Sequence, residues 1–112
     1  MLDWAFEERD GLFIGTPRGR VDETTWQAFG TNLSDGVARA AAGAPKTLIV
    51  DFTGLDYMSS RGLRALTLAK REAEAAGVTV VLAAPNEIMR EILAISRYDK
   101  LFVVTDSVDD AL

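Results

Sequence analysis

The sequence predicts an α/β domain in which helices pack on a mixed β-sheet, and three observations support that prediction. An Asp10-Gly11 pair separates two short segments of alternating polarity, which is typical of a β-hairpin. Residues 46–52 and 78–83 are nearly continuous apolar runs of the kind found in strands buried on both faces. Amphipathic helical segments alternate with these runs, which indicates parallel βαβ crossovers. Because 112 residues is the size of one domain, residues 1–112 are predicted to form a single domain.

The predicted hairpin opens the chain. Residues 4–8 alternate in polarity, with Trp4 and Phe6 facing inward and their neighbours facing outward. Residues 12–16 form the second strand, and Pro17 is expected to weaken its end because proline cannot donate a ladder hydrogen bond. An exposed edge strand near the N-terminus can pair with a copy of itself, although we expect a monomer.

The first helix is predicted to begin after Asp22, a residue type that often caps helix N-termini. Gly43 and Pro45 are expected to end this helix. The apolar residues between these limits recur at steps of three and four, which predicts one buried helix face made of Trp26, Phe29, Leu33, Val37 and Ala40. Residues 46–52 then form a central strand, after which Thr53-Gly54 turns the chain.

The second half of the chain repeats this alternation. A helix over residues 60–76 precedes the strand at 78–83, and Asn86 caps a third helix. A last strand is predicted at residues 101–104, followed by a terminal helical turn at 108–112. The element order is therefore β-β-α-β-α-β-α-β-(α), and each parallel crossover is expected to be right-handed.

Composition excludes several classes of function. The sequence contains no histidine and no cysteine, which rules out disulfides, the usual zinc and iron–sulfur ligand sets, and Ser-His-Asp or Cys-His catalysis. Its 17 acidic and 12 basic residues give a net charge of −5, which argues against general affinity for nucleic acid or for an anionic membrane. No cofactor, metal site or enzymatic activity is expected.

The expected location is the cytoplasm. The N-terminal residues have neither the basic region nor the apolar region of a signal peptide. The longest apolar stretch, residues 78–84, is too short to span a bilayer, so no direct membrane binding is expected. Residues 61–71 carry four basic and no acidic side chains, an arrangement more typical of a solvated helix face than of a nucleic-acid patch.

The segment most informative about function is residues 51–66, which follows a buried strand and begins a helix. In open α/β sheets, ligands and partners bind beyond the carboxyl ends of the strands. Ser59 and Ser60 occupy the expected N-cap region, and Gly62 in the first turn costs about 1 kcal/mol relative to alanine. Either an external group approaches this glycine closely or a neighbouring strand packs against it. A serine here can carry a phosphate, because the free N–H groups and the helix dipole favour an anion.

Residues 55–63, with the sequence Leu-Asp-Tyr-Met-Ser-Ser-Arg-Gly-Leu, resemble the phosphorylation-site signature of STAS domains, especially bacterial anti-sigma-factor antagonists. Residues 19–22 are similar to the family's Gly-x-Leu/Val-Asp loop, and residues 48–55 are similar to its central strand and turn. Residues 90–93 and 101–102 are similar to its third helix and last strand, so the resemblance extends over nearly the whole chain. It implies the STAS fold, a mixed sheet of four or five strands with helices packed mainly on one face.

The resemblance also implies a function that needs no catalysis by this chain. Antagonists of this family bind a serine-kinase anti-sigma factor while the acceptor serine, which corresponds to Ser60, is unphosphorylated, and so they free a sigma factor. The kinase phosphorylates that serine and breaks the complex, and a metal-dependent serine phosphatase restores it. The partner-binding residues that the resemblance implies are Asp22, Asp56, Tyr57, Met58, Ser59, Ser60, Arg61, Gly62 and Arg64.

Arg61 departs from the family pattern, in which Ser, Thr or Ala usually follows the acceptor. A long cation beside Ser60 can pair with a phosphate, or it can obstruct the active site of a kinase. Asp22 also has two interpretations, because it can contact the partner or order its loop, or it can act only as a helix cap.

Other functions explain the sequence less well. Asp51-Phe-Thr-Gly54 is similar to the Asp-x-Thr-Gly of phosphoaspartyl enzymes, but those enzymes need a supporting lysine, further carboxylates and a much larger domain, and a simple turn explains the tetrapeptide. A receiver domain would need an acidic pair after its first strand and a lysine after its last, which this chain lacks. The remaining alternative is a STAS domain that is not phosphorylated and that braces a transporter ATPase or belongs to a sensory scaffold.

Overall fold

A computed structural model describes residues 2–112 and shows six strands and four helices within them. The strands are β1 (Leu2–Arg9), β2 (Leu12–Val21), β3 (Thr47–Asp51), β4 (Leu55–Met58), β5 (Thr79–Ala83) and β6 (Val103–Thr105). The helices are α1 (Trp26–Ala41), α2 (Ser60–Ala76), α3 (Glu87–Ile95) and α4 (Val108–Ala111), and a 3₁₀ turn covers Tyr98–Lys100. Among the described residues, none of the helices has the length and apolarity that crossing a membrane requires.

The opening hairpin has the turn chemistry that its sequence predicts. β1 pairs antiparallel with β2 along its whole length. Asp10 and Gly11 both have positive φ, at 54° and 80°, as a two-residue hairpin turn of the primed type requires. Trp4 and Phe6 are half-buried and pack against the main core, so the predicted inward face of β1 is confirmed.

All other strand pairs are parallel, and the sheet order is β1-β2-β3-β5-β6, with β4 also paired to β2. Residues 13–15 of β2 pair with β3, and residues 19–21 pair with β4. β2 therefore continues to Val21, and the predicted end at residue 16 is wrong. Pro17 is tolerated inside the strand because it falls between the two pairings, where this edge of β2 has no partner strand.

β4 was not predicted, and it raises the number of strands to six from the four or five expected. Leu55 and Met58 are buried, whereas Asp56 is exposed and Tyr57 is half-buried. The segment is therefore neither a continuous apolar run nor a strict alternation, and its sequence carries no strong strand signal. Its strand conformation depends on pairing with residues 19–21, which are distant in sequence.

Three helices cover one face of the sheet and α4 packs on the other. Val50 and Leu82 belong to the main core with α1, α2 and α3. Their neighbours Ile49 and Val81 point to the opposite face and pack with Val108 of α4. The prediction that the helices lie mainly on one face is thus confirmed. The predicted face of α1 is also confirmed, with Trp26 half-buried and full burial of Phe29, Leu33, Val37 and Ala40.

The ends of α2 and α3 carry the predicted signals. Gly77 ends α2 with a φ of 72°, a left-handed conformation that glycine adopts at little cost. Asn86 caps α3, because its Oδ1 accepts a hydrogen bond from the Met89 N–H at 2.9 Å. The Nδ2 of Asn86 also donates to the Leu55 carbonyl at 2.9 Å, which ties the start of α3 to β4.

The last strand is shorter than predicted. Residues 98–100 form the 3₁₀ turn, so β6 starts at Val103 and pairs with residues 81–83 of β5. The predicted terminal helical turn is confirmed as α4, and the Oγ of Ser107 caps it by accepting from the Asp110 N–H at 3.0 Å.

Candidate functional site

The candidate site lies where the carboxyl ends of β2 and β4 meet the start of α2. Their parallel pairing places Val21 beside Met58, and the Ser59 N–H donates to the Val21 carbonyl at 2.8 Å. The turn that follows β2, residues 22–25, therefore lies next to the first turn of α2. This is the end of the sheet at which the sequence predicted a binding surface.

The two serines at the start of α2 have different positions. Ser59 is the N-cap, and its Oγ accepts from the Gly62 N–H at 3.3 Å, which satisfies a group that has no partner inside the helix. Ser60 is the first helical residue, its side chain is exposed, and its hydroxyl makes no hydrogen bond within residues 2–112. The Ser60 hydroxyl is thus available at the end of α2 where the helix dipole is positive.

Gly62 and Met58 belong to the support of the site and not to its surface. Both residues are buried, and Met58 is only 2% exposed. A Cβ added at Gly62 would lie 2.5 Å from the Met58 Cγ and 2.6 Å from the Val21 Cγ1. Close packing against the neighbouring strands therefore explains this glycine, which is the second of the two interpretations that its sequence left open.

Asp22 orders the turn before α1. Its Oδ1 accepts from the Thr24 N–H at 3.0 Å and from the Thr24 hydroxyl at 2.9 Å. These bonds, the hydroxyl first, hold the pKa of Asp22 below its usual value, and the Thr25 hydroxyl adds to them, so the carboxylate is ionised at neutral pH. The residue that immediately precedes α1 is Thr25, so the prediction that Asp22 is the helix N-cap is wrong.

Asp56 and Tyr57 lie on β4 at the margin of the site. Asp56 is exposed, and Tyr57 is half-buried. The guanidinium carbon of Arg20 lies 4.6 Å from the centre of the Tyr57 ring, a cation–π contact between β2 and β4. This contact fixes the tyrosine ring beside the start of α2.

Arg61 leans from α2 towards the start of α1. Its Nε lies 3.6 Å from the Oε2 of Glu23, and its guanidinium carbon lies 5.4 Å from the centre of the Trp26 ring. Arg64, one turn further along α2, is exposed and takes part in none of the ion pairs among residues 2–112. Two cations with different environments therefore lie beside Ser60.

Three residues in and just before α1 complete this site and were not predicted as part of it. Glu23 and Trp26 contact Arg61, and Thr24 holds Asp22. Aspartate is a common turn residue, because its side chain accepts a hydrogen bond from the backbone two residues further on, and this preference could have indicated the Asp22 turn. No sequence signal identifies the contacts of Arg61, because Trp26 also fits the apolar face of α1.

Within residues 2–112, no group of three or more acidic side chains is arranged to hold a metal ion. The arrangement brings together the exposed hydroxyl of Ser60 at the start of α2, the ionised carboxylate of Asp22 in the adjacent turn, and the side chains of Arg61 and Arg64. This set is suited to protein contacts that a change of charge can regulate.

The sequence as a whole matches a known domain pattern. Residues 3–111 fit the pattern of the STAS domain. The chain belongs to the STAS family. The matched residues include all the strands and helices that position Ser60, so the family predicted from the residues around it is confirmed.

Relatives of this STAS domain carry consistent names. It is 28% identical over 114 residues to the anti-sigma-F factor antagonist RsfA of Mycobacterium tuberculosis, in an alignment that covers 99% of this chain and 85% of RsfA. Its structure resembles that of an anti-sigma factor antagonist from Mycobacterium paratuberculosis, with a TM-score of 0.85, 22% identity and coverage of 99% and 91% of the two chains.

It also resembles the anti-sigma factor antagonist SpoIIAA, whose structure is known in two forms. The TM-score to the unphosphorylated form is 0.71, with 20% identity and coverage of 91% of this chain and 87% of SpoIIAA. The TM-score to the phosphorylated form of the Bacillus protein is 0.63, with 20% identity and coverage of 91% and 90%. These similarities confirm the α/β fold class.

Proposed function

We propose that this STAS domain is an anti-sigma-factor antagonist that binds a serine-kinase anti-sigma factor while Ser60 is unphosphorylated. The observation that carries this proposal is the exposed hydroxyl of Ser60, which is free of hydrogen bonds within residues 2–112 and lies beside a separate N-cap serine. The names of RsfA and SpoIIAA support the role, and SpoIIAA is known in a phosphorylated form. The protein acts as a binding partner and is not itself an enzyme.

The proposed contact surface surrounds the start of α2 and combines three groups of predicted residues. The exposed ones are in direct contact with the partner, and they are Asp56, Ser60, Arg61 and Arg64. The half-buried ones form the margin of the contact, and they are Asp22, Tyr57 and Ser59. Met58 and Gly62 shape this surface from beneath, because both are buried.

Phosphorylation of Ser60 changes the charge of this surface without unfolding it. A phosphate adds about −1.5 to −2 charges at pH 7. At the first residue of α2 the added anion is stabilised by the helix dipole and by unpaired N–H groups. A partner that presents acidic groups to this surface loses several kcal/mol of complementarity. The modified form therefore dissociates while its fold remains intact.

Arg61 is compatible with this switch. Its contacts with Glu23 and Trp26 draw the guanidinium towards α1, so Ser60 stays open to a kinase. We therefore favour the interpretation in which Arg61 permits phosphorylation over the one in which it blocks the kinase.

The proposed cycle needs two enzymes supplied by other proteins. The anti-sigma factor itself phosphorylates Ser60 with ATP, and a metal-dependent serine phosphatase removes the phosphate. Because the exchange uses ATP and controls a sigma factor, its proposed location is the cytoplasm.

The proposal is tested by phosphorylating the protein with its serine-kinase anti-sigma factor and ATP, followed by mass spectrometry. We expect one phosphate, on Ser60, in the wild type and in Ser59→Ala, and none in Ser60→Ala. Ser59→Ala is the matched control, because it removes a neighbouring hydroxyl and costs only the cap, about 0.5–2 kcal/mol.

Binding measurements complete this test. Ser60→Asp should bind the kinase more weakly than the wild type, whereas Ser60→Ala should bind it normally. A phosphate found only on Ser59, or none at all with a kinase that binds tightly, would contradict the proposal. Failure of the anti-sigma factor to bind the wild type would instead favour an unphosphorylated STAS domain that braces a transporter ATPase or belongs to a sensory scaffold.

A further inference from the structure

A groove of about 800 Å³ lies between α1 and α2, on the side of the helix layer that faces away from the sheet. Trp26, Gly30 and Ser34 line it on α1, and Arg64, Leu68 and Glu72 line it on α2. One end of the groove lies at the start of α2, within one helical turn of Ser60. Trp26, Arg61 and Arg64 of the site described above line this end, and the rest of the groove extends beyond that site.

The groove exists because small residues meet where the two helices touch. A Cβ placed on Gly30 would lie 3.6 Å from the Ala65 Cβ, so the helices approach closely and leave no large side chain between them. Leu68 forms part of the wall and is 44% exposed, although leucine side chains usually lie inside proteins. Trp26 is half-buried at the same groove. Trp26, Leu68 and the small residues Gly30 and Ala65 therefore give the groove an apolar surface between its polar ends.

The two helices run in the same direction, and this gives the groove a polarity. Arg61 contacts Trp26 at one end, and the Ser34 hydroxyl donates to Glu72 at 2.7 Å at the other end. Both helix N-termini, which carry partial positive charge, therefore lie at the end near Arg61 and Arg64. Arg61 pairs with Glu23 at this end, whereas Arg64 belongs to none of the ion pairs within residues 2–112, and Glu72 places a negative charge at the opposite end.

We propose that this groove holds an amphipathic helix of the anti-sigma factor, with apolar side chains against Leu68 and Trp26 and carboxylates facing Arg64. A third helix can pack here because its side chains insert into the groove between two parallel helices. Residues 61–72, which run along the groove, span about 16 Å, or three helical turns. Carboxylates complement Arg64, which has no acidic partner within residues 2–112. The inference rests on the proposed function, because it extends the same partner's contact beyond Ser60.

The groove also explains how a phosphate releases this partner. Ser60 and Arg64 are four residues apart on α2, so their side chains are neighbours on one face of the helix. A phosphate on Ser60 pairs with Arg64 through charge-assisted hydrogen bonds and repels the carboxylates that Arg64 would otherwise hold. Phosphorylation therefore removes the electrostatic part of the contact, and the apolar part alone does not hold the partner.

The experiment titrates the purified anti-sigma factor against the wild type, Leu68→Glu, Arg64→Glu and Ile95→Glu. We expect the Kd to rise at least tenfold for each of the two groove variants and to change less than twofold for Ile95→Glu. Ile95 is the matched control, because it is an exposed aliphatic residue of α3 and does not line the groove. Circular dichroism checks that each variant folds, and Leu68→Ser, which removes the apolar contact without adding a charge, preserves the test if Leu68→Glu does not fold.

The outcomes separate this inference from the proposed function. If the wild type binds and Leu68→Glu binds equally well, the groove proposal is overturned and the proposed function stands. If the wild type itself does not bind, both proposals fail. Sedimentation of the wild type and the variants tests whether a second copy of this chain occupies the groove instead. A wild-type dimer that becomes monomeric in Leu68→Glu would place that copy in the groove and overturn the proposal. Charge reversal of one partner carboxylate should restore binding to Arg64→Glu.

Discussion

Gly62 is the residue at which helix propensity and packing conflict most directly. Glycine inside a helix costs about 1 kcal/mol relative to alanine. Any Cβ at this position would overlap the side chains of Met58 and Val21, so the glycine is needed despite that cost. Gly30 in α1 is also a helical glycine, but a Cβ there would meet only the Ala65 Cβ at an ordinary 3.6 Å.

The same substitution is therefore predicted to have opposite effects at the two glycines. Gly62→Ala should lower the free energy of unfolding, because overpacking typically costs about 1–3 kcal/mol and outweighs the gain in helix propensity. Gly30→Ala should raise it by up to about 1 kcal/mol. Urea denaturation of both variants and the wild type measures the difference. Equal stability of Gly62→Ala and the wild type would contradict this prediction and show that the side chains around Gly62 move aside at little cost.

Among the elements, β4 depends most on its neighbours. It has four residues, it pairs with the end of β2, and its Leu55 carbonyl accepts a hydrogen bond from Asn86 at the start of α3. Asn86 thus has two roles, since it also caps α3 through the Met89 N–H. Removing its side chain leaves both groups without their partners.

We predict that Asn86→Ala lowers the free energy of unfolding by about 1–3 kcal/mol, from the lost cap and the unpaired carbonyl together. Asn86→Ser should lie between Asn86→Ala and the wild type, because a serine hydroxyl still caps the helix but does not replace the amide donor to Leu55. Thermal or urea unfolding of the three proteins tests this order. Identical stability of Asn86→Ser and the wild type would mean that the bond to β4 contributes nothing.

The elements with local signals were predictable, and those that depend on distant pairing were not. α2 was predicted at residues 60–76 because serines in the N-cap region and Gly77 mark its ends. β4 has no comparable pattern, so it was missed. Ser60 was placed correctly at a helix start from the sequence around it. The turn at Asp22 was misassigned, because a helix cap and a turn residue have the same local sequence preference.

In the molecule as a whole, the sheet face that packs against α4 is covered by far fewer residues than the face that packs against α1, α2 and α3. Its buried residues form a small cluster of Leu12, Ile14, Ile49, Val81 and Ala83. Val108 and Ala111 of the short helix α4 pack against this cluster. The stability of this face therefore depends on a few side chains near the C-terminus.

Val108→Ala is predicted to lower the free energy of unfolding by about 1 kcal/mol, because it removes half-buried methyl groups from the cluster. Leu112→Ala is the control, because Leu112 is 43% exposed and should change the stability by less than about 0.5 kcal/mol. Urea denaturation compares the two. Equal losses in both variants would mean that α4 contributes little to the cover of this face.

The short ladder between β4 and β2 affects how easily the backbone before Ser60 opens. β4 matches only three residues of β2, whereas β3 and β5 match along five residues in the centre of the sheet. Segments with few ladder bonds open locally at a lower free energy than the whole fold. The backbone on the N-terminal side of Ser60 can therefore detach while the central strands stay closed. The backbone amides of residues 55–59 are therefore expected to exchange their hydrogens with solvent faster than those of β3 and β5.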